Sequence, residues 1–404
     1  TFTPRALMRH GALGSALPAA PIINLDVMSV EDPSGQLEEL VRQGVDAKFV
    51  ELGNEKIDKP LGPYLEAIKP VAQRSREVFP DAAISVVGCF GQSWEPCASQ
   101  LKAARQQHTF TLFDAVSIHN YGPTNSSIVK AETDDLQRTA TLAYVLPTLV
   151  EMESRVAETI GPDVGIWLDE FNWGGSWSGA VTWPSETHGG LRALHWAAHV
   201  LAAIHVNDMA ARAGHAGFQT LDAYSLFYQE GQPWSYWAAC AKVPPTRAPS
   251  SGDPHGVMFG GVAQVVAHLN YVALGAGNLR VAPLGSFSNA TVPVASHQPE
   301  GPCVLAALFS GGSTPSAVVL NMCPTDIIVT LGAWPGALSS RTCSITQYSG
   351  YDVGGWTAAD AISNLASPPW ANGPLALATT SNSDTPPTKL PKLSLLVVTA
   401  AAEL

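Results

Sequence analysis

The chain has 404 residues, 46% of them apolar, with 34 acidic against 22 basic side chains and a net charge of -12. That length exceeds one small core and predicts a large α/β barrel with a second domain, or two medium domains. The acidic balance argues against nucleic acid, an anionic membrane surface or a polyanionic substrate as partner, and no apolar run reaches the roughly 18 to 20 residues of a membrane span.

In chain order, short β-branched runs alternate with longer helical patterns. Strands are predicted at 22–27, 49–52, 84–87, 115–118, 165–168 and 223–227. Helices are predicted at 36–43, 65–78, 136–160 and 191–206, with a last one at 257–274. Repeated βα units of this kind build a parallel sheet. Residues 242–254, with Pro244, Pro245, Pro249 and Pro254, read as a long surface loop before that last helix. After Gly275 the helical period disappears, and short strands such as 304–309, 317–320 and 393–398 alternate with turns rich in Gly, Ser, Pro and Thr, as in a β-sandwich. The expected architecture is therefore α/β: a (β/α)8 TIM barrel over 1–275 and a C-terminal all-β sandwich over 276–404. A closed barrel needs eight strands, and only six precede the sandwich. The first two are thus expected outside this chain, on a second chain or an upstream segment that completes the barrel, the alternative being an unusual, degenerate barrel.

The six cysteines have no metal-type spacing, so no metal is expected; Cys89 and Cys97 fall in one loop-like stretch and are placed to bridge. Thr1 to His10 does not read as a signal peptide. Sequons at Asn125 and Asn289 lie in loop-like stretches. Together with the even cysteine count they favour a secreted, disulfide-bonded glycoprotein whose signal has been removed.

Two segments carry the chemistry. Val50-Glu51-Leu52-Gly53-Asn54-Glu55 and Trp167-Leu168-Asp169-Glu170-Phe171-Asn172 each run from an apolar strand into acidic residues. Parallel barrel strands bring their C-terminal ends to one rim, where active sites of this fold sit, so Glu55 and Glu170 converge although far apart in sequence. Two carboxyls about 5 to 5.5 Å apart suffice for glycosidic cleavage with retention. Glu170 then attacks the anomeric carbon, while Glu55 protonates the leaving oxygen, needing a pKa raised by burial and by the charge on Glu170.

Asn54-Glu55 after the second visible strand, His119-Asn120-Tyr121 after the fourth and Glu170 after the fifth resemble the clan of retaining glycoside hydrolases built on (β/α)8 barrels. That clan has Asn-Glu after strand four and its nucleophilic Glu after strand seven, which fits this chain if two strands are missing. The Glu-Leu-Gly-Asn-Glu form, the His-x-Tyr motif and the appended sandwich look most like the heparanase and β-glucuronidase family or the α-L-arabinofuranosidases. The resemblance implies catalytic roles for Glu55 and Glu170 and a phenolic hydrogen bond from Tyr121 to Glu170. Asn54 is suited to the sugar 2-hydroxyl, and His119 is expected to line the same pocket. Trp173, Trp177 and Trp183, in a Gly/Ser-rich loop, suit stacking on sugar rings. Gln229 and Tyr228 follow the last strand and are candidates to reach the pocket. No cofactor is implied, and the expected partner is carbohydrate.

His195 and His199 stand four apart without the Glu of a zinc-peptidase motif, so helix packing explains them better than a metal does. A rival to the enzyme is an extracellular glycoprotein that keeps a hydrolase fold for carbohydrate binding or assembly without turnover. The missing strands motivate it, because an open barrel exposes sheet edges.

Overall fold

The computed structural model describes residues 22–24, 32–45, 47–53, 61–89, 93–106, 110–121, 134–171, 190–223, 240–242, 257–259, 265, 268, 269, 272, 280–283, 291–292, 301–310, 315–329, 343–348, 378–383 and 389–400. The chain divides into two compact units. One comprises Thr1–His119, Glu151–Glu170 and Met209–Asp222; the other comprises Asn120–Val150, Phe171–Asp208 and Ala223–Leu404.

The first unit is organised by a six-stranded sheet in strictly sequential order. Its strands are β1 (Ile22–Asn24), β2 (Phe49–Leu52), β3 (Ala83–Val87), β4 (Ala115–Asn120), β5 (Gly165–Phe171) and β6 (Phe218–Ala223). β1 to β4 pair in parallel, with Ile22 opposite Phe49, Glu51 opposite Ser85 and Val87 opposite Ser117. Parallel neighbours require crossover connections, and helices supply them: α1 (Pro33–Arg42), α2 (Leu61–Val78) and α3 (Trp94–Gln106). β2 and β3 are buried at every position but their first, as expected of strands covered on both faces. β4 and β5 begin equally buried and turn half-exposed only at Ile118-His119 and Asp169-Glu170. Exposure thus rises only near the ends of these two strands.

Local chemistry fixes the elements. Asp32 caps α1 by accepting from Gly35 N at 2.9 Å, with Pro33 at the first helical position, where a missing N–H costs nothing. α2 buries Leu61, Tyr64, Leu65, Ile68, Val71, Ala72 and Ser75, a stripe at helical spacing. α3 was not apparent in the apolar pattern, because its buried face is Cys97, Ala98, Leu101 and Ala104, mostly small side chains with a weak signal. Cys97 lies in that helix rather than in a loop, and it is bridged to Cys89. The helix expected over 136–160 is two, α4 (Asp134–Ala143) and α5 (Val145–Thr159). They break at Tyr144, where Pro147 has no N–H to return to Ala143.

The sixth strand corrects the sequence expectation by starting earlier, at Phe218–Ala223; residues 224–227 lie outside the described residues. The chain turns at Gly214 and Gly217, both at positive φ, and Gly217 O accepts from Ile166 N at 2.9 Å, which sets β6 beside β5 from that point. The preceding helix, α6 (Gly190–Ala213), is longer than predicted.

In the second unit, β7 (Cys240–Lys242) pairs antiparallel with β8 (Val257–Phe259), so the helix expected from 257 does not start there; residues 265, 268, 269 and 272 are helical. The C-terminal region forms an antiparallel sheet in the order β16-β15-β18-β13-β12-β9, from β9 (Arg280–Pro283), β12 (Val304–Ser310), β13 (Ser316–Asn321), β15 (Cys343–Tyr348), β16 (Ala378–Ser383) and β18 (Ser394–Ala400). Two short antiparallel pairs accompany it, β10 (Thr291–Val292) with β11 (Gly301–Pro302) and β14 (Ile327–Ile328) with β17 (Lys389–Leu390). β13 and β18 are buried at every residue, so both faces of the sheet centre are covered. His205 on α6 meets Ala306 O at 3.0 Å, and His268 Nδ1 meets the Tyr348 hydroxyl at 2.8 Å. The Cys303–Cys323 disulfide clasps the β12–β13 hairpin.

Candidate active site

The C-terminal ends of β2, β4, β5 and β6 converge on a group of acidic side chains with one histidine, all within the first unit. Side chains alternate across a strand, so Phe49 and Glu51 share one face of β2, and Trp167 and Asp169 share one face of β5. Phe49 and Trp167 meet edge-on with ring centroids 5.3 Å apart, which closes an apolar floor. Above it, Glu51, Ser117 and Asp169 form a polar layer in which Ser117 Oγ also lies 2.6 Å from Ser85 Oγ. Glu51 is only 3% exposed. Its carboxyl is pushed up to about 10, first by burial, then by its hydrogen bond to Asp169 and that neighbour's charge. The hydrogen bond with Ser117 opposes the rise, and the charge of Glu170 adds to it.

His119 links the layer to Glu170. Its Nε2 lies 3.2 Å from Asp169 Oδ2 and its Nδ1 lies 3.5 Å from Glu170 Oε2. The His119 and Asp169 side chains are 5% and 6% exposed, whereas that of Glu170 is 21% exposed. Of these three, Glu170 is the most exposed. Asp222 on β6 completes the group, its carboxyl raised to about 6 by burial and then by the charge on Asp169. Below the rim, the Tyr64 hydroxyl donates to Leu52 O and accepts from Val87 N at 2.9 Å, which pins the ends of β2 and β3 together. Burial raises the Tyr64 phenol, and it stays protonated. Gly53 follows β2 at φ 122, and a Cβ there would meet Val87 Cγ2 at 2.9 Å, so only glycine lets the chain leave the strand at this point.

Of the residues expected from sequence, His119 and Glu170 are brought together, and Tyr121 stands half-buried immediately after β4. Asn54, Glu55, Trp173, Trp177, Trp183, Tyr228 and Gln229 lie outside the described residues, as do the sequons at Asn125 and Asn289. Sequence reasoning gave no role to Glu51, Asp169, Asp222 or Ser117. The available signal was an acidic residue inside the otherwise apolar run Phe49 to Leu52, where a strand buried on both faces offers it no water. Among the described residues no three His, Cys, Asp or Glu side chains are grouped to hold a metal ion. His195 and His199 belong to the core of the second unit, both fully buried. His199 stacks on Phe171 with centroids 4.4 Å apart, places Nδ1 2.8 Å from His195 O and lies 3.3 Å from Asn120 Nδ2. Burial lowers it to about 4, against the weaker pull of that backbone bond.

No protein-family model matches the chain, and no curated protein matches it in sequence. Solved structures do match. A family 51 α-L-arabinofuranosidase from Bifidobacterium longum aligns over 90% of this chain and 69% of its own, with TM-score 0.59 and 14% identity. An α-L-arabinofuranosidase from Thermotoga maritima aligns over 94% and 74%, with TM-score 0.56 and 12% identity. A conserved exported protein from Bacteroides fragilis aligns over 91% and 69%, with TM-score 0.50 and 10% identity. At these identities the likeness is one of fold: this chain is α/β, with a parallel half-barrel sheet and separate antiparallel sheets, a fold it shares with these solved structures.

Proposed function

We propose that the chain is a retaining glycoside hydrolase with Glu170 as nucleophile and Glu55 as acid/base. The observation that carries this is the placement of Glu170 at the end of β5, partly open and flanked by His119, on a fold shared with glycosidases. In the first step Glu170 forms a bond to the anomeric carbon as the glycosidic C–O bond breaks, and Glu55 gives its proton to the departing oxygen. Water then attacks the same carbon, loses a proton to Glu55 and frees the Glu170 carboxylate. Asn54 and Tyr121 hold the sugar 2-hydroxyl and Glu170 respectively. Trp173, Trp177 and Gln229 contact the sugar chain.

The arabinofuranosidase neighbours favour an α-L-arabinofuranoside substrate, and the net charge of -12 disfavours a polyuronide or sulfated chain. β1 lies at one edge of the sheet, and a segment supplying further strands there would complete a barrel. The two disulfides and the exported neighbour favour an extracytoplasmic location. Aryl α-L-arabinofuranosides and β-glucuronides test the activity. Glu170→Ala and Glu55→Gln should each cut kcat by at least ~10³-fold, with azide restoring turnover in the first as the inverted glycosyl azide. Wild-type rates in both variants would overturn the assignment.

A further inference from the structure

The Asp169 carboxyl is buried between Glu51 and His119, and only one of its oxygens is accounted for by a nitrogen donor. Oδ2 faces His119 Nε2 at 3.2 Å, whereas Oδ1 is buried with no amide or hydroxyl donor of the described residues against it. A carboxylate oxygen left so would be costly. The Asp169 carboxyl also meets another carboxyl, that of Glu51, itself 3% exposed. Two ionised carboxylates in contact at this depth repel, and neither has a proton to donate. One proton between them converts the contact into a hydrogen bond and supplies the donor that Asp169 lacks.

We propose that Glu51 is held as a neutral carboxylic acid whose proton bridges to Asp169, and that this bridge fixes His119 against Glu170, making Glu51 a positioning residue for the nucleophile. The charged and titratable groups that act on Glu51 among the described residues are consistent with the neutral form. Tyr64 stays protonated, Ser117 carries no charge, and Asp169 and Glu170 each add negative potential. Asp222 faces the same Asp169 carboxyl from β6. His119 lies between Asp169 and Glu170. Elevation of the Glu51 carboxyl to about 10 agrees with the geometry.

The inference rests on the glycosidase role of Glu170, and two measurements separate the two. Infrared difference spectra of the wild type against Glu51→Gln near pH 7 should contain the C=O stretch of one protonated carboxyl; its absence would overturn the proposal whether or not the protein hydrolyses anything. Kinetics on an aryl glycoside give the second. Glu51→Gln, whose amide can still donate to Asp169, should keep kcat within ~3-fold, whereas Glu51→Ala should lose ~10²-fold in kcat with KM little changed, the usual consequence of a misplaced catalytic group. The ¹⁵N signals of the His119 ring, read with no substrate, should match wild type in the Gln variant and change in the Ala variant. Equal kcat and unchanged His119 signals in Glu51→Ala would overturn the positioning role even if that variant is less stable. A wild type that shows the infrared band but no hydrolysis would instead remove the glycosidase reading and leave the proton bridge standing.

Discussion

Asp169 and Glu170 are neighbours in sequence with opposite circumstances, one folded into a proton-sharing layer and the other facing outward. Under the proposed function, that division gives the reaction centre to the second and support to the first. The cluster also sets how stability follows pH. Asp222 has its carboxyl raised from 3.8 to about 6, so between those values the folded state holds the proton more tightly than the unfolded chain does. Its contribution is fully present below pH 3.8 and is lost as pH rises through about 6. Asp222→Asn should therefore stabilise the protein by on the order of 2 kcal/mol at neutral pH, with the gain shrinking toward pH 4, as read from denaturant midpoints. His199 works in the other direction. Its folded value of about 4 lies below the ordinary 6.5, so its contribution is present above 6.5 and is lost as pH falls toward 4. His199→Asn should soften the acid limb of the stability profile relative to wild type, and an unchanged acid limb would contradict the burial argument. Glu170 and His119 were legible in the sequence because they close recognisable motifs at strand ends. Glu51, Asp169 and Asp222 were not, because only tertiary pairing distinguishes a proton-sharing carboxyl from an ordinary charged residue.

At the scale of elements, the largely apolar runs of β2 to β5 were readable because strands buried on both faces leave little polar alternation. β6 was misplaced because the run from Ala223 to Phe227 is more apolar than Phe218 to Ala223, while the glycine turn and pairing with β5 decided the register. α3 escaped notice for want of large side chains. The tie between β2 and β3 concentrates in Tyr64, which bonds Leu52 O and Val87 N at once. Tyr64→Phe leaves both buried backbone groups unmatched and should cost about 1–3 kcal/mol. It should also lower kcat, since Asn54 and Glu55 follow β2 directly. A thermal midpoint equal to wild type would show that water replaces the hydroxyl.

At the scale of the whole molecule, the two disulfides among the described residues differ in what they hold. Cys89 and Cys97 close a separation of 8 residues, Cys303 and Cys323 one of 20. The longer loop has more entropy to lose, and Cys303→Ala with Cys323→Ala should cost about 3 kcal/mol, more than the corresponding change at the shorter bridge. The opposite ranking in thermal melts would contradict this loop-entropy ordering. The two large sheets also differ in how they come together. The strands of the first follow chain order, so each can join as it is synthesised. The antiparallel sheet cannot grow that way. β18, which begins at Ser394, is its centre, seated between β13 and β15. Until those residues leave the ribosome, the β15–β16 pair and the β9–β12–β13 set have no strand joining them. Each exposes an unpaired edge, so this late interval is the one in which a nascent chain most needs a chaperone.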